Sequence, residues 1–201
     1  MPDAGRVIAG SAKSIRLGAP GPGTRPLADR VKQTLFAILE PDLPGSRFLD
    51  LFAGRGAAGI EALSRGAAHA TFVEHEAKAI AVIRANLGRA GLGGPELATV
   101  VRADARTWLA DLDDATTFDL VVIDPPYDEP ATLSASLEAV VPLLSPRARV
   151  VAKHFWRTPP PAAVGLLASD RVRRFGETAL TFYRRRDEEP ATERAIGTEG
   201  A

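Results

Sequence analysis

From Arg47 onward, short apolar runs alternate with stretches of helical periodicity, and this alternation constrains the fold more than any other feature. Residues 47–52, 71–74, 99–104, 118–124 and 149–152 read as strands, rich in Val, Ile, Leu and Phe. Between the first two, a glycine loop opens a helix that stops at Gly66. A helix at about 77–90 places Ile80, Ile83 and Leu87 on one side, with Gly91 as its cap. A short helix runs through Trp108, and another through Leu137, Val140 and Val141. Strands that alternate with helices make a parallel sheet covered on both faces, with right-handed crossovers. The last stretch, Arg171 to Tyr183, alternates around Gly176 and reads as an antiparallel hairpin.

Open sheets of this kind bind ligands at the carboxyl ends of their strands. The first strand is followed by Gly54-Arg55-Gly56-Ala57-Ala58-Gly59, the Gly-x-Gly-x-x-Gly spacing in the strand-to-helix context that makes it informative. The same spacing serves nicotinamide dinucleotides. Glu74 ends the second strand, about 15 residues past Gly59, where a carboxylate can accept from ribose hydroxyls; the alternative is a surface acid beside His75 and Glu76. Asp104 ends the third strand and can meet an adenine amine, or instead cap the helix that starts at Ala105.

The fourth strand runs into Asp124-Pro125-Pro126-Tyr127. A residue before proline is held extended, and neither proline carries an N–H. The turn therefore offers a carboxylate and carbonyls beside an aromatic ring, which suits a flat ligand with an amino group. Alone, it reads equally well as a proline turn with Tyr127 as packing. Beside a nucleoside pocket, it gives the layout for methyl transfer from S-adenosylmethionine to an amine.

Composition narrows the alternatives. Hydrophobic content of 45% and charged content of 25% are those of a globular chain. There is no cysteine, which excludes disulfides and thiolate metal sites, and His69, His75 and His154 lack ligand spacing, so no metal is expected. No apolar run approaches a membrane span of about 18 residues, and the expected location is the cytoplasm. Residues 6–17 read as two short strands around a Gly-Ser turn, and about 27–39 as a helix with Val31, Leu35, Ile38 and Leu39 on one face. Residues 1–33 carry six basic and two acidic side chains, a weak pointer to a polyanion. Residues 187–201 carry five acids and one arginine and are expected to be disordered. The expected organisation is an extension over 1–44, a catalytic domain over 45–186 and an acidic tail.

Several stretches together resemble the bacterial RsmD family, which methylates the N2 amine of a guanine in small-subunit ribosomal RNA. They are Arg6 to Gly10, Thr24-Arg-Pro26, Asp29-Arg-Val31 with Leu35-Phe36, Asp50 to Gly54, Gly59 to Gly66, Asp124 to Tyr127, and Phe175 to Leu180. The resemblance covers Arg6 to about Arg186. It implies a class I S-adenosylmethionine-dependent methyltransferase, Rossmann-like, with a seven-stranded, mostly parallel sheet whose last strand is antiparallel. It implies cofactor contacts at Asp50, Phe52, Gly54, Gly56, Glu74, Asp104, Ala105 and Asp124, and chemistry at Asp124, Pro125, Pro126 and Tyr127. RNA contacts are expected from Lys13, Arg16, Arg25, Arg30 and Lys32 in the extension, with pairing to acids at the rim of the core as the alternative for Arg25 and Arg30; the expected partner is ribosomal RNA or a small-subunit particle, and the expected state a monomer. Three positions depart from the family pattern: Arg55 replaces a small polar residue, Ala37 an asparagine, and Lys153 an acid. The rival readings are a DNA adenine or cytosine amino-methyltransferase, a nicotinamide oxidoreductase and a non-enzymatic RNA-binding module.

Overall fold

The computed structural model describes residues 5–18, 28–113 and 115–186. Arg25 and the acidic tail from Asp187 lie outside the described residues. The element order is α1 (Asp29–Leu39), β1 (Arg47–Leu51), α2 (Ala57–Ser64), β2 (His69–Glu74), α3 (Ala77–Ala90), β3 (Ala98–Arg102), α4 (Ala105–Ala110), β4 (Phe118–Ile123), α5 (Pro130–Val140), β5 (Leu144–Phe155), β6 (Ala163–Val164), β7 (Leu167–Phe175) and β8 (Thr178–Arg185). Short 3₁₀ turns follow α1 and α5.

The strands form one sheet in the order β3-β2-β1-β4-β5-β8-β7-β6. The first five positions pair in parallel, and β8 inserts antiparallel between β5 and β7. The expected seven strands and terminal hairpin are therefore present, with the two-residue β6 as an addition at the outer edge. The sheet order reverses between β1 and β4, and this switch point is where an open sheet parts to admit a ligand.

Each face of the sheet buries its own core. On one side Phe48, Phe72, Val122 and Val151 pack with α1, α2 and α3 through Leu35, Phe36, Ile60 and Ile83. On the other, Leu49, Val73, Val121 and Val150 pack with α4 and α5 through Leu109, Leu133 and Leu137. Strand side chains alternate faces. Two residues beyond Phe48, Phe72, Val122 and Val151 stand Asp50, Glu74, Asp124 and Lys153. Periodicity alone therefore gathers four charged groups at the carboxyl ends of four strands, on the face covered by α2 and α3.

The N-terminal segment departs from the expected two strands. It makes a single antiparallel bridge, Arg6 with Arg16. Val7 N and Ser14 N bond across the turn, but four of its intervening N–H groups point to α2 instead. The fully buried Glu61 carboxylate accepts from Ile8 N at 2.7 Å and Ala9 N at 3.0 Å. Ser64 accepts from Ser11 N through its carbonyl at 2.8 Å and from Ala12 N through its hydroxyl at 2.9 Å. Val7, Ala12 and Leu17 are buried in the same core as α1 and α2, so this extension is packed onto the catalytic body.

Candidate active site

β1 ends in a sharp turn. Phe52 sits at φ 64, a left-handed conformation that a bulky residue adopts only under constraint. The turn is held from the neighbouring strand: Ala53 N donates to the Val73 carbonyl at 3.0 Å, and Gly54 N to Glu74 Oε2 at 2.9 Å. A Cβ added at Gly54 would meet nothing within 4 Å, whereas one at Gly59 would lie 2.2 Å from the Phe72 ring. The two glycines therefore serve different ends. Gly59 lets α2 press against β2, and Gly54 leaves its backbone open to a ligand. Gly56, at φ 77, is the left-handed residue from which α2 starts.

Asp50 stands close to the Glu74 and Asp124 carboxylates. Asp50 is 3% exposed, and its Oδ2 accepts from Gly59 N at 2.9 Å. Burial first, then the Asp124 and Glu74 carboxylates, push its pKa up to about 8, against the opposing pull of the Gly59 N–H. Burial among acids thus favours the neutral form of Asp50. Glu74 is also buried; its second oxygen accepts from His75 N and Glu76 N, at the entrance to α3. The alternative of a merely exposed surface acid does not describe it. Asp104 caps α4: Oδ1 accepts from Arg106 N, Thr107 N and the Thr107 hydroxyl. The Thr107 N–H first, against a small burial cost, holds its pKa below the usual carboxylate range. A cleft of about 910 Å³ passes Phe52, His75, Asp104 and Pro126 and continues between α4 and α5.

Asp124 lies where β4 ends, its N–H still donating to the Leu51 carbonyl at 3.2 Å. Pro125 is buried and Pro126 exposed, and the Pro126 carbonyl closes the turn onto Glu129 N. The Tyr127 hydroxyl meets the Thr178 hydroxyl at 2.6 Å, and its ring packs at a tilt on Phe155 with centroids 6.5 Å apart. That contact ties the Asp124–Tyr127 turn to the start of β8.

Lys153 answers the departure seen in the sequence. Its Nζ donates to both Asp124 oxygens, at 2.6 and 2.8 Å, and lies 5.1 Å from the Tyr127 ring centroid. Burial alone would lower the ammonium's pKa; the Asp124 carboxylate, with help from Tyr127, more than offsets this and raises it. Register explains the meeting, since Ile123 pairs with Ala152 and the next residues are Asp124 and Lys153. Arg55, the second departure, is buried beside Gly5, on the side of the N-terminal segment. Ala37, the third, is exposed on α1, and nothing in the structure explains that departure.

The basic residues of the extension separate into two groups. Lys13, Arg16 and Arg30 are exposed. Lys32 is fully buried: its Nζ donates to the Arg6 carbonyl and lies 3.8 Å from both Glu61 and Asp29. Burial lowers its pKa even though those acids oppose the shift. The expectation that Lys32 contacts phosphate is therefore corrected, because its ammonium is enclosed and committed to internal partners. Among the described residues no His/Asp/Glu group forms a candidate metal site, and no helix is long and apolar enough to cross a membrane.

Comparison with known proteins agrees with this geometry. A family profile described as conserved hypothetical protein 95 matches residues 5–184. A Bacillus subtilis (strain 168) protein, named "Putative rRNA methyltransferase YlbH", is 40% identical over 90% of this chain and 99% of its own. The Escherichia coli (strain K12) "Ribosomal RNA small subunit methyltransferase D" is 40% identical over 61% of this chain and 60% of its own. A solved Escherichia coli structure, "Putative methyltransferase yhhF", superposes with a TM-score of 0.78 at 31% identity, covering 90% of this chain and 97% of that one. The chain belongs to the conserved hypothetical protein 95 family, the RsmD family that its motifs resemble, and has the fold of an S-adenosylmethionine-dependent methyltransferase.

Proposed function

We propose that this chain transfers a methyl group from S-adenosylmethionine to the exocyclic N2 amine of a guanine in small-subunit (16S) ribosomal RNA. The observation that carries the reading is the position of Asp124-Pro125-Pro126-Tyr127. The turn ends β4 beside the glycine loop, on the same face of the sheet as Asp50 and Glu74. The likeness to a ribosomal RNA small subunit methyltransferase supports the substrate class.

The strand ends fit the cofactor. The open backbone at Gly54 admits a ligand, the buried Glu74 carboxylate suits ribose hydroxyls, and Asp104 retains Oδ2 for an adenine amine. Phe52, Gly56 and Ala105 complete the wall. When bound, the cofactor supplies an electrophilic methyl on a sulfonium. Guanine N2 is a poor nucleophile because its lone pair is delocalised into the ring. Asp124 and the Pro125 carbonyl each accept one amine hydrogen, which turns the lone pair outward and stabilises charge developing on nitrogen. A carboxylate has about four acceptor sites, so Asp124 can serve the amine while Lys153 fixes its rotation. Tyr127 offers a face to the base, which must be unpaired or flipped out to reach it. Lys13, Arg16 and Arg30 meet phosphates, and Arg25, outside the described residues, is assigned the same role.

The test is single-turnover transfer from labelled S-adenosylmethionine into small-subunit rRNA, followed by identification of the methylated nucleoside. Asp124→Ala is expected to abolish most transfer while cofactor affinity stays close to wild type. Because alanine also strands the Lys153 ammonium, Asp124→Asn is the cleaner variant: it keeps one acceptor oxygen and is expected to fall between the two. Charged hydrogen bonds are about twice as strong as neutral ones. Near-normal transfer by the alanine variant, or label on a different atom, overturns the proposal.

A further inference from the structure

The basic face that sequence reasoning assigned to RNA is the N-terminal extension. The structure presents a second one at the C-terminal hairpin. Residues 156–186 hold seven arginines against Asp170 and Glu177, a net charge of +5. Asp170 is already engaged by Arg184 and, at 3.7 Å, by Arg149. Arg157, Arg171, Arg173 and Arg174 are exposed.

Topology puts part of this charge beside the chemistry. β7 runs parallel to β5, so its end at Arg173-Arg174-Phe175 emerges on the same edge of the sheet as Asp124. Three strand spacings of about 4.8 Å separate β4 from β7, a lateral distance of ~14 Å. The intervening surface is continuous: Tyr127 packs on Phe155, and Phe155 on Trp156, with centroids 6.5 and 6.4 Å apart. Trp156 is fastened to the hairpin turn by its N–H, which donates to the Glu177 carbonyl at 3.0 Å.

Two guanidinium groups rest on that indole. Arg174 lies 3.5 Å and Arg157 4.9 Å from the Trp156 ring centroid. Arg174 is also anchored through Nε to the Gly176 carbonyl at 2.9 Å. A guanidinium laid on an aromatic ring loses less freedom when it grips a phosphate, and its plane can itself take a stacked base.

We propose that Trp156, Arg157, Arg173 and Arg174 form a second RNA-binding site, which holds the single strand flanking the target nucleotide by phosphate contact and stacking. The inference rests on the RNA substrate proposed above and adds a place for the neighbouring nucleotides. The competing explanation is that these arginines only protect an edge. Beyond Ala168, β7 has no strand on its outer side among the described residues, and charged residues there discourage pairing with another chain.

The experiment compares the full chain with the variant R157Q/R173Q/R174Q and, separately, Trp156→Phe and Trp156→Ala. Binding to a fluorescent single-stranded segment of small-subunit rRNA is measured across salt concentrations, with cofactor affinity and light scattering in parallel. A phosphate contact to a single strand contributes about 0.7 to the slope of log affinity against log salt. The triple variant is expected to lose roughly 2 from that slope and at least tenfold in affinity at low salt, with cofactor affinity unchanged. Trp156→Ala is expected to weaken RNA binding, and Trp156→Phe, which keeps an aromatic face under the arginines, to restore most of it. Wild-type slope and affinity in the triple variant overturn the proposal, and self-association with those values intact assigns the arginines to edge protection. If the wild-type chain binds no RNA, both this site and the RNA substrate fall. If wild type methylates rRNA but the variants bind as it does, only this site falls.

Discussion

Asp50 gives the most exposed test of the electrostatics at the strand ends. Its carboxyl is buried beside two other acids, with a folded-state pKa of about 8 against an unfolded value near 4. The group is an acid whose pKa is raised, so the folded chain binds more protons than the unfolded chain between those values. The associated stability is fully present below about pH 4 and is lost as pH rises toward 8. Each pH unit inside the window is worth about 1.4 kcal/mol. Between pH 7 and 8, where the titration tails off, the loss is about 1 kcal/mol, or roughly 2–4 °C in Tm for a chain of this size. His154, whose pKa is lowered mainly by burial, has the opposite slope, but this is complete by about pH 7. Thermal melts of wild type and Asp50→Asn at pH 7.0, 7.5 and 8.0 isolate the effect. The amide keeps an acceptor for Gly59 N and cannot ionise, so its Tm is expected to fall less than that of wild type across this range. Parallel curves for the two proteins would refute the assignment of a neutral Asp50. A cationic ligand at the strand ends should expel the proton, detectable as proton release when binding is measured in buffers of different ionisation enthalpy.

Glu74→Ala is expected to raise the dissociation constant for S-adenosylmethionine about ten- to hundredfold, the loss of a charge-assisted hydrogen bond. It should also lower Tm, since Glu74 accepts from Gly54, His75 and Glu76; calorimetry showing unchanged affinity would move the ribose site elsewhere. Lys153→Met keeps the length of the side chain but leaves the Asp124 carboxylate without its ammonium, so single-turnover transfer is expected to fall well below wild type while cofactor affinity holds. Wild-type transfer by this variant would mean that the ion pair is not needed to orient Asp124. Gly10→Ala would place a Cβ 1.7 Å from the Ser64 carbonyl at a backbone φ of 85. A loss of more than about 2 kcal/mol in urea unfolding is expected, and a change within 0.5 kcal/mol would show that the extension contributes little to the folded state.

Much of the architecture was legible because it rests on local patterns. Alternation of apolar runs with helical periodicity marked the parallel sheet, and the glycine loop, Glu74 and Asp124 were recognisable from their places at strand ends. What escaped depends on partners distant in sequence. Lys32 looks like a surface cation until Glu61, 29 residues later, is brought against it. The N-terminal segment looks like a hairpin until α2 competes for its N–H groups. Lys153 and Asp124 meet only through the parallel register of β4 and β5, which no short-range signal reveals. The alternation in Arg171 to Arg174 correctly marked a strand, but not that it would end at the same end of the sheet as Asp124. That depends on β8 inserting between β5 and β7.

The buried Glu61 carboxylate also bears on how the chain is made. The N–H groups of Ile8 and Ala9 find their acceptor 53 and 52 residues downstream. At about 5–20 residues per second, roughly 3–10 s of synthesis separate the appearance of these donors from that of Glu61. Until then this segment has no acceptor for those groups except water, and Val7, Ala12 and Leu17 have no core to enter. Docking of the segment therefore waits for the synthesis of α2.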